Sequence, residues 1–361
     1  MPRALYVPGP SYFDPRVREV AGWHAILEYQ RQAMELAGYQ VETPEGPAEL
    51  LADRPSFARI TSYGVAVATM TRHQEYDLVL GAPSYGYIPM LAHPEARKVT
   101  YGWNNAPTYR NKMLEPEYAK HGQTYDHSPV GDLLYVGGLW VSDRIIACSP
   151  FVAMTHAQEI LASPDQEVHI PVAPWGVDSE TFRPGEKNQR FTVLFVGGDP
   201  IRKGLDYALQ AVYQLIANEK LDLDFWVVGC PGESPIPNRV KVFGMVPHAQ
   251  MPEIMAKCHV LVLPSLEDGI ALVVQEAMAC GVVPIATPDP AEVFSHPVFV
   301  TEPCGYKIAY RRADQIADKL RMLYEDRRLL QAEGEKARAA AERQTWEKFK
   351  ESFATATGLP A

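Results

Sequence analysis

Two acidic residues, Asp268 and Glu276, bracket a polar loop and the beginning of a predicted helix. The start of a helix offers free backbone N–H groups and a partial positive charge, both of which attract phosphate. A carboxylate placed there would repel phosphate, but it accepts hydrogen bonds from sugar hydroxyls. Phosphate together with sugar hydroxyls indicates a nucleotide-sugar site. The alternative is that the two acids only cap a helix on an exposed loop.

A second polar segment follows an apolar run that ends at Val196. Gly197 and Gly198 allow close approach of a ligand to the backbone. Arg202 and Lys203 then lead into a predicted helix, where a lysine adds a full charge to the helix dipole and pairs with a diphosphate. The phosphate-binding patterns G-x-x-x-x-G-K-S/T and G-x-G-x-x-G are both absent. A tight turn followed by a surface lysine is the alternative.

The first half of the chain offers candidates for the side of the site that binds the acceptor. Gly22 would let a diphosphate or an acceptor approach closely, and Trp23 presents a flat face on which sugar rings stack. Alternatively, Trp23 and His24 are packing residues. A dense group of aromatic residues either lines an acceptor cleft or forms a core or interface; it consists of Tyr85, Tyr87, Tyr101, Trp103 and Tyr109.

Other chemistries have weaker support in the residue patterns. The ten histidines show neither H-E-x-x-H nor H-x-H spacing, so we expect no catalytic metal and no bound cofactor. No G-x-S-x-G segment marks a nucleophilic serine. The five cysteines are widely spaced and include no C-x-x-C pair, which favours free thiols in a reducing cytoplasm over disulfides or a zinc site.

Composition limits the class of protein. The chain has 361 residues, enough for about two domains, and its 47% hydrophobic content is typical of a globular protein. A formal net charge of −10 argues against nucleic acid as a partner. No apolar run approaches the roughly 18–20 residues that span a bilayer, and the N-terminus lacks a long signal-like apolar stretch. We therefore expect a cytoplasmic protein without a transmembrane segment, either free or peripheral to a membrane.

Short β-branched runs alternate with helical stretches almost throughout the chain. This alternation predicts an α/β fold with parallel sheets covered by helices on both faces. The predicted strands of the first half are Ala4–Val7, Gln40–Glu42, Asp77–Leu80, Lys98–Tyr101, Arg144–Ala147 and His169–Ala173. Those of the second half are Phe191–Val196, Asp224–Val228, Lys241–Phe243, His259–Leu263 and Val283–Ala286. The predicted helices include Trp23–Leu36, Leu205–Asn218, Pro252–Lys257, Leu272–Ala279 and Ala313–Tyr324.

Two self-contained alternating patterns meet at the polar, Pro- and Gly-containing segment Arg183–Arg190. We therefore expect an N-terminal domain of residues 1–185 on the acceptor side and a C-terminal donor domain of residues 186–344. The stretch Leu329–Phe353 is rich in Ala, Glu, Arg and Lys and predicts one or two surface helices.

Taken in order, these segments resemble family 4 of the retaining nucleotide-sugar glycosyltransferases, which have the GT-B architecture. The resemblance covers most of the chain and is strongest from about Ala147 to Trp346. It implies two Rossmann-like domains facing a cleft, with a C-terminal helix, residues 345–361, that returns to the first domain. The segments that carry it are Ala147–Pro150, Pro174–Pro184, Val196–Gly204, Val242–Pro247, Leu263–Gly269 and Glu276–Gly281.

The resemblance implies roles for individual residues. Glu276 would hold the ribose hydroxyls, Asp268 would contact the donor sugar, and Lys203 would bind the diphosphate. Asp268 and Lys203 would be the catalytic residues, and no residue is expected to ligate a metal. The remaining donor-binding residues would be Gly22, Gly198, Arg202, Met245, Gly269, Ile270, Ala271 and Leu272. The expected acceptor-side residues are Trp23, His24, Trp103 and Asn104.

The chain departs from the family pattern at three places. The two acids form D-x7-E, or E-x8-E if Glu267 is counted, where the family has E-x7-E. Gly198 stands where the family usually has an arginine that pairs with the diphosphate. The histidine usually found near the end of the Lys98–Trp103 strand is not present in that segment. These departures put the strength of donor activation in doubt more than the fold.

The activity implied is metal-independent transfer of a sugar, with retention, from a nucleoside-diphosphate sugar in which UDP or GDP is the favoured nucleotide. The acceptor would be a sugar, a lipid-linked sugar or a small molecule. The main competing hypothesis is a pseudo-glycosyltransferase or a catalytically inactive nucleotide-sugar-binding protein. A second is a different GT-B enzyme, such as an epimerase or a phosphorylase, and a third is a scaffold protein.

Overall fold

The computed structural model describes residues 1–8, 24–44, 56–125, 127–161, 168–230 and 238–358, with residues 24 and 56–60 described as backbone. The chain forms two compact units. The first consists of Met1–Pro174 and Glu347–Ala361, and the second is Trp175–Trp346. No helix in the described ranges combines the length and the apolar character needed to cross a bilayer.

The first unit is built around a parallel sheet. Among its described residues the strands are β1 (Arg3–Val7), β2 (Gln40–Glu42), β3 (Leu78–Gly81), β4 (Arg97–Gly102) and β5 (Arg144–Ala147), in the order β2-β1-β3-β4-β5. The helices are α1 (His24–Leu36), α2 (Ser56–Thr71), α3 (Pro83–Ala92), α4 (Pro107–Lys120), α5 (Pro129–Val141) and α6 (Pro150–Ile160). Every residue of β3 is buried, as expected for a central strand covered on both faces.

One predicted strand of the first unit is wrong. Residues 169–173 form only an isolated bridge between Ala147 and Val172. Backbone hydrogen bonds join Ala147 N to Pro171 O and Ala173 N to Ala147 O. Because Pro171 and Pro174 lack an N–H, this segment cannot extend the ladder of hydrogen bonds that a strand requires.

The second unit has its own parallel sheet. Its described strands are β6 (Phe191–Val196), β7 (Leu223–Val228), β8 (Val240–Gly244), β9 (Val260–Leu263), β10 (Val283–Ala286) and β11 (Tyr306–Lys307), in the order β11-β10-β9-β6-β7-β8. The helices are α7 (Leu205–Tyr213), α8 (Met251–Ala256), α9 (Leu272–Ala279), α10 (Pro288–Ser295), α11 (Ala313–Glu325) and α12 (Arg327–Ala341). A π-helical turn, Gln214–Asn218, continues α7, and a 3₁₀ turn, His248–Gln250, precedes α8.

Strands β6 and β9 are neighbours in this sheet, with Val193 paired to Val260. Because both strands run in the same direction, the loops that follow them leave the same edge. The two loops approach each other closely at Gly204. Its φ is +71°, and a Cβ there would lie 2.2 Å from Pro264 O. Only glycine combines this left-handed conformation with so close an approach.

The last helix, α13 (Trp346–Thr357), belongs to the first unit from its second residue onward. The ring of Phe353 lies 5.5 Å from that of Tyr101, and both rings are fully or almost fully buried. Arg97 donates to Gly358 O at 3.1 Å, and Arg144 donates to Ala356 O, so two cations face the carbonyl end of the helix. The expectation of solvated surface helices is therefore wrong for α13, which forms part of the core of the first unit.

The units divide between Pro174 and Trp175, ahead of the boundary expected at residue 185. The segment that follows Pro174 bonds to the second unit. Val177 N donates to Gln344 O at 2.7 Å, and Gln275 Nε2 donates to Trp175 O at 2.7 Å. Gly176 lies so close that a Cβ would come 2.4 Å from Trp346 N. These backbone contacts, invisible in residue patterning, tie residues 175–185 to the second unit.

Candidate functional site

Two loops at the carboxyl ends of β6 and β9 bring cations and acids together. The Lys203 ammonium forms an ion pair with the Asp268 carboxylate. Arg202 Nη1 lies 3.2 Å from Glu267 O and 3.8 Å from Asp268 Oδ1. The structure thus places the predicted diphosphate lysine directly against the predicted sugar-binding acid.

Burial gives this cluster its electrostatic character. Asp268 is 7% exposed, and Glu267 is also buried. Burial opposes ionisation of Asp268, but the charges of Lys203 and Arg202 outweigh it and hold the pKa of this carboxyl below its usual value. Burial lowers the pKa of the Lys203 ammonium, although Asp268 opposes this shift. The pair is therefore an ionised contact with little water to screen it.

A buried carboxyl, that of Asp289, forms a hydrogen bond to the backbone of the loop that contains Asp268. Its Oδ2 accepts a hydrogen bond from Asp268 N at 3.1 Å, and its Oδ1 accepts one from the Tyr310 hydroxyl. Asp289 is at the beginning of α10, directly after β10, which neighbours β9. Sequence reasoning missed Asp289, although Pro288-Asp289 after a buried strand marks a helix start at the same sheet edge.

The beginning of α9 is the helix start expected to bind phosphate. Gly269, Ile270 and Ala271 are buried in the loop that leads into it. Ala271 occupies the N-cap position, and no side chain caps the helix. Val274 N donates a hydrogen bond to Ala271 O at 2.8 Å. The amide of Leu272 comes before this first bond of the helix. A helix start without a capping side chain suits a phosphate group, and the binding role of this loop stays a prediction.

Glu276 is engaged by a residue that sequence reasoning missed. His248 Nε2 lies 2.6 Å from Glu276 Oε1, and the imidazole packs 5.4 Å from the ring of Phe182. The hydrogen bond from Glu276 raises the pKa of His248 even though burial opposes it. His248 follows β8 in the same loop as Met245, which is 61% exposed. The nearness of a histidine to the expected base-binding residue was the available signal.

The two glycines after β6 have different surroundings. A Cβ on Gly197 would lie 2.7 Å from Lys203 Cγ, whereas a Cβ on Gly198 would meet no atom within 4 Å. Gly198 is exposed, and its φ is not positive. The place where the resemblance implies an arginine is therefore empty space, and Gly197 is the glycine that the lysine side chain requires.

The acceptor-side predictions are only partly described. Gly22 and Trp23 lie outside the described residues, and His24 is described only as the first backbone position of α1. Trp103 and Asn104 are half-buried and directly follow β4 in the first unit.

A histidine does reach the end of β4, although it comes from α6. His156 Nε2 lies 3.1 Å from Asn104 O and 2.8 Å from the Tyr135 hydroxyl. A Cβ on Gly102 would lie 1.9 Å from His156 Cε1. Burial lowers the pKa of His156 to about 4, so the ring is neutral at physiological pH. The strand segment lacks a histidine, but the fold brings one to it from 52 residues away.

In the described parts of the chain, no three His, Cys, Asp or Glu side chains converge in a way that could hold a metal ion. All five cysteines are free and buried.

Comparison with known proteins links this geometry to a fold. Residues 190–326 match the family model described as Glycosyl transferases group 1. The chain is 29% identical to a D-inositol 3-phosphate glycosyltransferase of Segniliparus rotundus, over 61% of this chain and 51% of that protein. The chain thus spans about half the length of this curated relative.

Solved structures resemble the whole chain at low sequence identity. A sucrose-phosphate synthase from Thermosynechococcus elongatus has a TM-score of 0.78 at 17% identity, covering 98% of each chain. The HepE protein of Anabaena, solved with UDP-glucose, has a TM-score of 0.67 at 16% identity, also covering 98% of each chain. The fold is that of the GT-B glycosyltransferases.

The segment that matches the family model contains the charged residues of this cluster. Lys203, Arg202 and Asp268 meet, and Glu276 lies on the helix that leaves the same loop. The roles of these residues, like those of Gly22 and Trp23, stay predictions. His248, Asp289 and His156 are additions that the structure makes to the predicted set.

Proposed function

We propose that this chain is a metal-independent glycosyltransferase that moves a sugar from a nucleoside-diphosphate sugar to an acceptor with retention at the anomeric carbon. The observation that carries the proposal is the buried ion pair between Lys203 and Asp268, formed across the loops that precede two helix starts. The ammonium of Lys203 suits a diphosphate, and the carboxylate of Asp268 suits sugar hydroxyls, so a nucleotide sugar offers a partner to each.

Ligand binding would exchange the partners of this pair. The diphosphate takes the ammonium of Lys203 and the N–H groups at the start of α9, while Asp268 accepts hydrogen bonds from donor-sugar hydroxyls. Arg202 lies close to Glu267 and Asp268 and supplies a second cation. Charge develops on the leaving diphosphate as the glycosidic bond breaks, and fixed cations and amides in a buried site stabilise it.

The nucleoside half of the donor would be held by Glu276, whose carboxylate accepts from ribose hydroxyls. His248 Nε2 lies 2.6 Å from Glu276 Oε1. A ribose therefore shares this carboxylate with His248 or displaces the imidazole. Met245, exposed in the same loop, is placed for contact with the base.

The transfer needs a group that accepts the proton of the acceptor hydroxyl. In our proposal a phosphate oxygen of the departing nucleoside diphosphate accepts it on the same face of the sugar, as the bond from the acceptor oxygen to the anomeric carbon forms. This course gives retention and leaves the proton on the leaving group. UDP or GDP is the proposed nucleotide, and the solved complex of HepE with UDP-glucose favours UDP. The acceptor is a sugar, a lipid-linked sugar or a small molecule.

A second candidate function is favoured by one observation. Gly198 leaves an empty space where the resemblance implies an arginine, and Asp268 is one methylene shorter than glutamate. A protein with these changes could bind a nucleotide sugar without transferring it. Slow hydrolysis of the donor by the purified protein, detected as free sugar, would exclude this inactive form.

The test of the site uses Lys203→Ala and Glu276→Ala, with exposed Lys307→Ala as the control. Isothermal titration with UDP and GDP should show affinity reduced about 10- to 100-fold in the first two variants, because each loses a charged hydrogen-bond partner worth about 1.5–3 kcal/mol. Lys307→Ala should bind like the wild type. Unchanged affinity in both site variants would mean that the nucleotide binds elsewhere.

A further inference from the structure

The second unit contains a cavity of about 660 Å³ that the proposed reaction does not use. Its lining includes Pro184, Lys187, His259, Cys280 and Arg327. His259 immediately precedes β9, and Cys280 lies shortly before β10, so the cavity is at the amino ends of these strands. The donor-site loops leave the carboxyl ends. The volume is in the range of small-molecule sites, about 300–1,000 Å³.

Lys187 brings an ammonium group to this cavity without a carboxylate partner. Its Nζ donates to the main-chain oxygen of Cys280 at 3.1 Å, and the described parts of the chain offer it no acid within ion-pair distance. Burial lowers the pKa of Lys187 to about 8. A half-buried ammonium that holds only one carbonyl has donor capacity left for an anion.

Arg327 is the second cation of the cavity. Its guanidinium lies over the rings of Phe191, at 4.7 Å, and Tyr324, at 4.9 Å. No carboxylate pairs with it among the residues that the structure describes. Ring stacking occupies a face of the guanidinium and leaves its N–H edges to donate in the plane. Arg327 is the first residue of α12, and Asp326 caps this helix. The guanidinium of Arg327, rather than the start of the helix, is therefore the group that can bind an anion.

His259 contributes a neutral donor to the same lining. Its Nδ1 accepts a hydrogen bond from Thr192 N at 3.0 Å, so the ring proton resides on Nε2. Burial lowers the pKa of His259 to about 4, and the charges of Lys187 and Arg327 act in the same direction. The imidazole is therefore neutral at physiological pH.

The two acids of the lining, Glu335 and Glu342, have partners other than Lys187 and Arg327. Glu342 is paired with Arg338 Nε at 2.8 Å, and Glu335 accepts from Gln331 Nε2 at 2.9 Å. Arg338 in turn donates to three main-chain oxygens, so it holds the cavity wall in place. Apolar groups such as Leu330 complete the lining and suit the carbon body of a ligand.

We propose that this cavity is a second anion site, which binds a small phosphate monoester through Lys187, Arg327 and the Nε2–H of His259. Phosphate provides the acceptor oxygens and the double negative charge that two cations and a neutral donor match. The site lies at the opposite edge of the sheet from the donor loops, so its ligand does not compete with a nucleoside diphosphate.

The experiment titrates the full-length protein with glucose 6-phosphate, inorganic phosphate and glucose, in the presence of saturating UDP. We expect glucose 6-phosphate to bind more tightly than inorganic phosphate, and glucose not to bind. Equal affinity for inorganic phosphate would overturn the assignment to an ester and leave the free ion as the ligand. Heat signals for neither phosphate at millimolar concentration, or equal binding of glucose, would overturn the site itself.

The variants are Lys187→Met and Arg327→Met, and the control is Lys257→Met. Lys257 lies in the same unit but pairs with Glu253 at 2.6 Å and does not line the cavity. Each cavity variant should bind glucose 6-phosphate about tenfold or more weakly, because a charged hydrogen bond is lost, while UDP affinity is unchanged. Arg327→Met keeps the test decisive if Lys187→Met fails to fold. Unchanged binding in a folded Arg327→Met would refute the site.

The two sites are separated by repeating the titration in Lys203→Ala without UDP. Glucose 6-phosphate should bind this variant as it binds the wild type, because the ammonium it lacks belongs to the other edge of the sheet. Loss of binding in Lys203→Ala would show that the phosphate had entered the donor site, and would overturn the second site.

Discussion

At the scale of single residues, the charged groups of the candidate site pair with one another. Lys203 pairs with Asp268, and Glu276 pairs with His248. Buried charges without partners are costly, so a ligand that binds to these four groups would have to replace their protein partners. The substitutions that probe this exchange act on the partners, Asp289 and His248, as well as on the binding residues.

Asp289→Asn should change the pH dependence of stability. Burial raises the pKa of Asp289 from 3.8 to about 7; the hydrogen bonds from Tyr310 and Asp268 N oppose this shift, and the charges of Glu267 and Asp268 add to it. Because the folded pKa is the higher one, the stability from this carboxyl is fully present below about pH 4 and is lost as the pH rises through about 7. The asparagine variant lacks this loss.

The free energy of unfolding, measured by urea denaturation between pH 5 and pH 7, checks this prediction. Wild type should lose up to about 1.4 kcal/mol per pH unit relative to Asp289→Asn. Exposed Asp206→Asn should run parallel to the wild type. Parallel curves for Asp289→Asn would show that the buried carboxyl does not titrate in this range.

His248→Ala should remove a pH dependence of nucleotide binding. The hydrogen bond to Glu276 raises the pKa of His248, so the charged imidazole grips this carboxylate at low pH and releases it as the pH rises through the raised value. Affinity for UDP should therefore rise with pH about tenfold more in the wild type than in the variant. Titration calorimetry at mildly acidic and mildly alkaline pH measures this difference. Equal pH profiles would mean that His248 does not compete for Glu276.

At the scale of elements, two loops and two helix starts form the site because β6 and β9 are parallel neighbours. The sequence segments after these strands carry the residues expected to bind phosphate and sugar, and the sheet puts them at one edge. Gly204 sets how closely they approach, since its place against Pro264 O excludes any side chain. The loop after β6 therefore tolerates change only where it faces open space.

Gly198→Arg should strengthen nucleotide binding without loss of stability. A Cβ at Gly198 meets no atom within 4 Å, so the arginine can extend over the loop beside Lys203. We expect the free energy of unfolding to stay within about 0.5 kcal/mol and the affinity for UDP to rise about tenfold. Gly197→Ala is the matched control: its Cβ would press on Lys203 Cγ and weaken binding. Calorimetry on both variants decides, and an unchanged affinity in Gly198→Arg would mean that no diphosphate passes this position.

At the scale of the whole molecule, the last helix completes the first unit. Phe349 and Phe353 are fully buried, and both pack against Tyr101 on β4, the strand that leads to Trp103. A segment more than 240 residues away in sequence thus belongs to the core beneath the expected acceptor side. This helix stabilises the first unit by burying aromatic side chains, so its contribution can be measured as a free energy of unfolding.

Phe353→Ala should destabilise the first unit by about 3–5 kcal/mol, the usual cost of removing a buried aromatic ring. Thermal denaturation measures this effect, and a separate early transition is expected because the second unit keeps its own core. Glu351→Ala, at an exposed position of the same helix, should leave the melting curve unchanged. If Phe353→Ala melts like the wild type, α13 is not part of that core.

The sequence by itself determined most of the local elements. The bounds of β2, β5, β6, β10 and α9 agree with their predicted ranges, because strand and helix periodicity and the glycines and prolines that end them act over a few residues. Residues 169–173 were predicted as a strand but form only a bridge, because prolines interrupt the hydrogen-bond ladder there, and β11, with two residues, is too short to show a period.

Only the tertiary structure decided which groups touch. Lys203 and Asp268 are 65 positions apart, His248 and Glu276 are 28 apart, and no local pattern records either pair. Strand order places the two loops at one edge, and packing of α6 brings His156 against Gly102. Residue types thus indicated phosphate and sugar chemistry, whereas the partners of each charge, and hence its ionisation, depend on burial that exists only in the folded chain.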